Sequence, residues 1–116
     1  MNLNKAKAYC RKLPGATEDI KWESNLVFSV GEKMFAVMGA EGSDRGISFK
    51  VDGDRFLELT DRPGIIPAPY LARAKWVYIE DKKAVSDAEM AELLQRSYEL
   101  VFAKLTKKLQ REIQGS

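Results

Sequence analysis

Apolar residues recur at helical spacing near both ends of the chain. Over 3–13 they fall every three or four positions, which predicts a helix terminated by the Pro-Gly pair at 14–15. A longer stripe of the same period covers 90–113, and the S-x-x-E pattern at 86–89 is typical of a helix start. We therefore expect one long amphipathic helix on the C-terminal side, with Thr106 as its candidate break.

Short apolar runs in the first half of the chain have the pattern of strands. The runs 26–30 and 34–38 are joined by a glycine-led loop at 31–33, which predicts a β-hairpin. Residues 47–51 alternate between apolar and polar side chains, as in a strand with one face buried. The polar, glycine-rich connection at 39–46 predicts an exposed and mobile hairpin loop.

The remaining segments complete an α+β pattern. Asp52 is placed to cap a helix over 54–61, and 76–80 has the composition of a strand. Pro67 and Pro69 exclude a regular helix or a central strand between them, but leave room for a short edge strand. The predicted order is α-βββ-α-ββ-α. We expect a two-layer α+β fold, with an antiparallel sheet of about five strands, helices on one face and water on the other.

Length and composition indicate one globular domain over residues 1–116. No apolar run approaches the length needed to cross a bilayer, and no apolar stretch follows the N-terminal charges as in a secretory signal. Cys10 is the only cysteine, so no disulfide can form within the chain, and its place on the apolar stripe predicts a buried thiol. These features favour a cytoplasmic protein without a membrane partner.

The residue types present exclude several chemistries. The chain has no histidine and one cysteine, which excludes zinc sites built from these residues and any histidine-based triad or general base. The D-G-D triplet at 52–54 lacks the later ligands of a calcium loop, and no phosphate-binding glycine loop is present. We expect no cofactor and no metal.

Charge is distributed unevenly along the chain. The formal net charge is only +2, but residues 1–13 carry four cations and no acid, and residues 103–116 carry four cations and one acid. Basic termini around an acidic middle are compatible with an anionic partner, or with two solvated helix faces that bind nothing.

Four segments of the sequence resemble proteins of the MmcQ/YjbR family. They are LPGATEDIKW (13–22), VFSVGEKMFAVM (27–38), RPGIIPAPYLARAKWVYI (62–79) and SYELVFAKL (97–105). The resemblance implies a non-enzymatic protein with a secretion-chaperone-like α+β fold and a five-stranded antiparallel sheet. The family's likeness to a double-wing motif further implies DNA binding. Lys21 and Lys75 depart from the family pattern, and each adds a positive charge.

Five cations are candidates for contacting DNA, because the predicted elements place them on loops, on the wet face of a strand or beside the proline-rich segment. They are Lys33, Arg45, Lys50, Arg73 and Lys75. Such side chains would contact phosphates, which gives a salt-dependent affinity with little sequence preference. The simpler interpretation is that they are ordinary solvated charges.

The large aromatic residues have two possible uses. Trp22, Tyr70, Trp76 and Tyr78 would stack on bases if they were exposed beside cations, but in small domains such residues more often fill the core. We favour the structural role, and we expect Ile65, Ile66, Tyr70 and Leu71 to anchor an ordered segment over 64–72.

A second function class remains open. The secretion-chaperone-like architecture also permits a protein-interaction or small-ligand-binding module, which would need an exposed apolar groove or dimer face. The sequence leaves the oligomeric state undecided, and a monomer is slightly favoured.

Overall fold

The computed structural model describes residues 1–22, 24–39 and 46–115. Four α-helices lie within them: α1 (Leu3–Lys12), α2 (Gly53–Thr60), α3 (Asp87–Phe102) and α4 (Lys107–Gln114). Six strands accompany them: β1 (Ala16–Lys21), β2 (Asn25–Val30), β3 (Lys33–Gly39), β4 (Ile47–Lys50), β5 (Ile65–Pro67) and β6 (Trp76–Ile79). Short 3-10 helices cover Ala72–Ala74 and Lys82–Ala84.

The strands form one antiparallel sheet in the order β1-β2-β3-β4-β6-β5. Buried residues of α1, α2 and α3 join the apolar side chains of one sheet face in a single core cluster. The predicted α+β fold with helices on one face is therefore confirmed. The described sheet has one strand more than the α-βββ-α-ββ-α pattern, because β1 was not predicted. It is an edge strand whose residues are almost all exposed, so it lacks apolar alternation.

The β2–β3 hairpin closes with two residues rather than the three expected. Gly31 and Glu32 have φ of 57° and 68°, and Val30 pairs with Lys33. Positive φ at both central positions is the geometry of a type I′ turn, whose twist matches that of the flanking strands. Lys33 therefore begins a strand beside the turn instead of lying within the loop.

A bulge in this hairpin turns Phe35 into the core. Phe28 pairs with Ala36 and Ser29 with Met34, so Phe35 is the extra residue of β3. Phe35 and Ala36 are consecutive, yet both belong to the core cluster on one face of the sheet, which regular alternation along a strand would not allow. The Phe35 ring packs edge-on against Tyr98 of α3, with ring centroids 5.5 Å apart.

The buried hydroxyl of Ser97 joins α3 to the sheet beside this bulge. Its Oγ donates to the carbonyl oxygen of Phe35 at 2.7 Å and accepts from the backbone N–H of Lys50 at 3.0 Å. The pairing of β3 with β4 ends at Ala36 and Phe49, so Phe35 and Lys50 lie just beyond the last pair. Ser97 thus satisfies two backbone groups that the neighbouring strands do not pair with each other, one on each strand.

The C-terminal stripe folds as two helices. Ser86 caps α3 by accepting from the N–H of Glu89, and Thr106 caps α4 by accepting from the N–H of Leu109. The amide of Gln110 donates to the carbonyl oxygens of Phe102 and Leu105, which ties α4 back to the connection that follows α3. The predicted break near Thr106 is therefore present.

Two predicted helix caps are used differently. In a complete capping box, the carboxylate of Glu89 would accept a hydrogen bond from the backbone N–H of the N-cap residue. It instead accepts two hydrogen bonds from Arg62, at 2.8 and 3.1 Å. Asp52 occupies the N-cap position of α2, but its side chain makes no capping bond and is instead held by Arg96. In both cases an arginine from another part of the chain competes successfully for the carboxylate.

The proline-rich segment is ordered through its backbone. Ile65 and Ala68 are buried, and Ala68 and Trp76 are joined by a backbone hydrogen bond. Pro69 and Tyr70 form the centre of a turn closed by the Leu71 N–H and the Ala68 carbonyl. Tyr70 was expected to anchor this segment, but it has a relative exposure of 104%. The positive φ of 66° at Tyr70 is typical of a type II turn.

Replacing Ser97 by alanine tests the bridge between α3 and the bulge. Ser97→Ala leaves the Phe35 carbonyl and the Lys50 N–H without their partner, so we expect it to lower the free energy of unfolding by about 1–3 kcal/mol. Urea unfolding followed by circular dichroism measures this change. The control is Ser48→Ala on the outer sheet face, which should change stability by less than about 0.5 kcal/mol. Equal effects of the two variants would contradict the bridge.

The Arg62–Glu89 pair makes an acid-dependent contribution to stability. Hydrogen bonds from Arg62, more than its charge, lower the pKa of Glu89 in the folded protein. A lowered folded-state pKa gives stability that is fully present above the unfolded pKa of ~4.3 and is lost as the pH falls through the lower folded-state pKa. Glu89→Gln should therefore be about 1 kcal/mol less stable than the wild type at neutral pH.

Urea unfolding over a pH series tests this pair. The difference between Glu89→Gln and the wild type should shrink as the pH falls through ~4 and below. Glu92→Gln, on the exposed side of the same helix, is the control and should show a smaller difference. A constant difference at all pH values would show that the ion pair is not its source.

Candidate nucleic-acid interface

Four of the five candidate cations lie at the same end of the sheet. Lys33 begins β3, Lys50 ends β4, and Arg73 and Lys75 belong to the connection that enters β6. Neighbouring strands are ~4.8 Å apart, so β3 and β6 are separated by roughly 10 Å across β4. We call this end of the sheet the basic end, defined by Lys33, Lys50, Arg73 and Lys75 together with Lys104, which is placed below.

Arg45 lies outside the described residues. Gly39 and Gly46, which flank that segment, are at the opposite end of the strands, because β3 ends and β4 begins there. The described part of the chain therefore brings together four of the five candidates and does not place the fifth.

Lys33 and Arg73 are the most accessible candidates. Both are exposed, and neither forms an ion pair with an acid among the described residues. Arg73 lies in the 3-10 helix of the β5–β6 connection, whose short turns hold the backbone in place. A free cation on a well-ordered backbone is available to an anionic ligand without first breaking an internal contact.

Lys50 differs from the other candidates because it is already engaged. Its ammonium group donates to the Ala74 carbonyl, and the side chain is half-buried, whereas the alternating pattern suggested a solvated position. Burial, followed by the nearby charge of Lys104, lowers the pKa of Lys50. Lys50 therefore stabilises the connection that carries Arg73 and Lys75, and it adds positive charge beneath that connection.

Lys75 is presented by its backbone conformation. It ends the 3-10 helix with a φ of 63°, and its carbonyl accepts from the Val51 N–H at 2.9 Å. The exposed ammonium group lies 5.2 Å from the ring centroid of Phe56, a cation–π contact that restrains the side chain and leaves the charge accessible.

The basic C-terminal segment adjoins the same end of the sheet. The charge of Lys104 contributes to lowering the pKa of Lys50, so the two side chains lie within electrostatic range of each other. A Cβ added to Gly31 would lie 2.7 Å from the Leu105 methyl groups, so the segment that leads into α4 packs directly on the β2–β3 turn. Lys107 and Lys108 are exposed in the first turn of α4. The C-terminal cations thus extend the basic end and do not form a separate surface.

The basic N-terminal segment is more fully engaged in internal contacts. Lys5 is 3.4 Å from Asp87, and Arg11 makes two hydrogen bonds to Glu18. Lys7 is largely buried against the core. Only Lys12 of the four N-terminal cations is both exposed and without an ion pair among the described residues. This segment is therefore less available to an anionic ligand than the C-terminal one.

Acidic residues near the basic end are partly neutralised. Asp52 is held by Arg96 at 2.8 and 3.0 Å, and these hydrogen bonds lower the pKa of the carboxyl group. Glu32 and Asp54 are exposed and have no ion pair among the described residues. Their charges reduce the local positive potential beside Lys33 and α2, so the β5–β6 connection is the most favourable part of the surface for an anion.

Exposed aromatic residues separate into two places. Tyr70 protrudes from the β5–β6 connection at the basic end, whereas Trp22, with a relative exposure of 62%, follows β1 at the opposite end. Trp76 is buried, in agreement with the structural role expected for it, and Tyr78 is half-buried. The signal that could have identified Tyr70 as a turn residue is the A-P-Y-L order, because proline is common at the second position of a type II turn.

Other site chemistries receive little support. Burial raises the pKa of the Cys10 thiol to about 12, and the side chain is inaccessible. Within the described ranges, no cluster of three or more His, Cys, Asp or Glu side chains is placed to hold a metal ion. Two concavities of about 200 and 230 Å³ lie beside α3, below the usual size of a small-molecule site. No described helix is long and apolar enough to span a bilayer.

Comparison with known proteins agrees with the fold. The chain is similar to the Deinococcus radiodurans protein DR2400, of domain family DUF419, whose crystal structure matches with a TM-score of 0.85 and 30% identity over 97% of this chain and 88% of that one. A Pseudomonas syringae protein matches with a TM-score of 0.69 and 24% identity, over 87% and 99% of the two chains, which supports the fold alone. No curated protein matches the sequence.

The family assignment follows from a match that covers most of the chain. The YjbR family model matches residues 11–100, a range that includes β1 to β6 and nearly all of α3. Together with the similarity to the Deinococcus protein, this match shows that the chain belongs to the YjbR family.

Proposed function

We propose that this protein is a non-enzymatic DNA-binding protein that contacts phosphates through the basic end of its sheet. One observation carries the proposal: the start of β3, the end of β4, the β5–β6 connection and the α3–α4 connection each bring at least one cation to the same end. Cations that come from separate segments of the chain and meet at one surface are the electrostatic pattern of a phosphate-binding face.

The two hairpin connections at this end support the proposal. Lys33 directly follows the β2–β3 turn, and the β5–β6 connection carries Arg73 and Lys75. Two hairpin connections at one end of the sheet fit the double-wing likeness that the family resemblance implied. Contacts from such connections would be made chiefly with the sugar-phosphate backbone, so we expect weak sequence preference. The buried Cys10 and the absence of histidine favour binding over catalysis, and the single thiol suits the reducing cytoplasm.

A protein-interaction function is the second candidate. Ile20 has a relative exposure of 53%, and Trp22 is exposed just after the edge strand β1, whose outer side pairs with no described strand. An edge strand with apolar side chains is able to accept a strand from a partner. The charges of Glu18, Asp19 and Lys21 along β1 oppose non-specific pairing. We therefore place this function after DNA binding.

The salt dependence of DNA binding tests the first proposal. Each lost phosphate contact should lower the slope of log affinity against log salt by about 0.9 on duplex DNA. We expect Lys75→Ala and Arg73→Ala each to lower the slope by about one and to weaken all sequences alike. Fluorescence anisotropy with labelled duplexes at several salt concentrations measures both quantities.

Two comparisons locate the contacts. Lys83→Ala removes an exposed cation at the opposite end of the sheet and should leave the slope unchanged. The double variant Lys107→Ala with Lys108→Ala tests whether α4 shares the contact surface. If the wild-type protein at low salt binds neither duplex nor single strands, the DNA proposal fails, and β1 becomes the surface to examine for a protein partner.

A further inference from the structure

Tyr70 combines full exposure with an unfavourable backbone conformation. Its φ is 66°, a region that residues other than glycine adopt at a free-energy cost, and its relative exposure is 104%. The third position of a type II turn ordinarily holds glycine or asparagine. A tyrosine there fills no part of the core and stabilises no neighbouring side chain, so packing within the protein does not account for it.

The turn that presents Tyr70 is held firmly on both sides. The Leu71 N–H donates to the Ala68 carbonyl at 3.1 Å, and the Trp76 N–H donates to the Leu71 carbonyl at 3.2 Å. Lys50 holds the far side of the connection through the Ala74 carbonyl. The tyrosine ring therefore projects from an ordered support, which limits the conformational entropy lost when a ligand stacks on it.

The surroundings of Tyr70 favour an anionic ligand that has flat rings. Pro69 precedes it, and Arg73 and Lys75 follow within the same connection. An exposed aromatic ring beside cations is the arrangement by which proteins hold unpaired bases: the ring stacks on the base while the cations contact the phosphates. Bases within an intact duplex do not offer their faces for such stacking.

We infer that Tyr70 stacks on an unpaired base and that the basic end of the sheet prefers single-stranded DNA to duplex DNA. This inference rests on the proposed function, and it adds the substrate class and the residue that distinguishes that class. Phosphate contacts from Arg73 and Lys75 act on both kinds of DNA, whereas the stack at Tyr70 acts only on bases that are free to meet it.

Substitutions at Tyr70 separate binding from folding. Tyr70→Gly removes the ring and relieves the positive φ, so its unfolding midpoint should equal or exceed that of the wild type. Tyr70→Phe keeps the ring and should bind as the wild type does. The matched control is Trp22→Gly, because Trp22 is also an exposed aromatic residue with positive φ, 51°, but lies at the opposite end of the sheet.

The experiment is an anisotropy titration of each variant with a labelled oligothymidylate and with a duplex of equal length, at one low salt concentration. We expect Tyr70→Gly to weaken single-strand binding by about 5- to 100-fold, the loss of one base stack, and to leave duplex binding unchanged. Trp22→Gly should change neither affinity.

Three outcomes would overturn the inference, and they are distinguishable. If Tyr70→Gly binds single strands as tightly as the wild type while Arg73→Ala weakens both ligands, stacking is refuted and the proposed function stands. Equal losses on single strands and duplex would refute the substrate preference. Failure of the wild-type protein to bind either ligand would remove the inference together with the proposed function.

Discussion

The hydroxyl of Ser97 is the contact on which the arrangement of α3 and the sheet depends. The bulge at Phe35 turns a large ring into the core, and the pairing of β3 with β4 stops beside it, at Ala36 and Phe49. Ser97 accepts from one strand and donates to the other, with no exposure to water. A buried backbone group without a partner costs about 1–3 kcal/mol, so this side chain makes the bulge tolerable. The two hydrogen bonds of Ser97 also fix where α3 lies along the strands, and hence the position of the connection that begins after Phe102.

That constraint determines which charges meet. The connection that follows α3 packs Leu105 on the turn at Gly31, and the charge of Lys104 in the same connection acts on the Lys50 ammonium group. Acids close to this surface are partly engaged, as Asp52 is by Arg96, while Arg73 and Lys75 stay accessible. The opposite end of the molecule pairs charges such as Lys5 with Asp87.

Periodicity was enough to predict the elements that bury an apolar face. The C-terminal stripe, the β2–β3 hairpin and the alternating β4 were found because their side chains repeat at the period of the element. The strand β1 was missed because an exposed edge strand has no such repeat. Asp52 was assigned to a helix cap because nothing near it in the sequence indicates its partner. Arg96, which binds its carboxylate, lies 44 residues further along the chain.

The candidate site was predictable in part for the same reason. Residue type and loop position identified Arg73 and Lys75, but the half-buried state of Lys50 depends on the Ala74 carbonyl, a contact that no local pattern reveals. Tyr70 was expected to anchor its segment because large aromatics usually pack against other side chains, whereas it occupies the third position of a turn and is fully exposed. Tertiary contacts and turn geometry, not propensity, decided both positions.

An amide-resolved NMR titration with single-stranded DNA at low salt tests the central claim most directly. The account predicts shift changes confined to the basic end: at Lys33, at Lys50, over 69–76 and over 104–108. Residues at the opposite end, including Trp22 and 80–87, should keep the amide chemical shifts of the DNA-free protein. Changes centred on β1 and Trp22, or none at any residue, would contradict a DNA-binding surface at the basic end of the sheet.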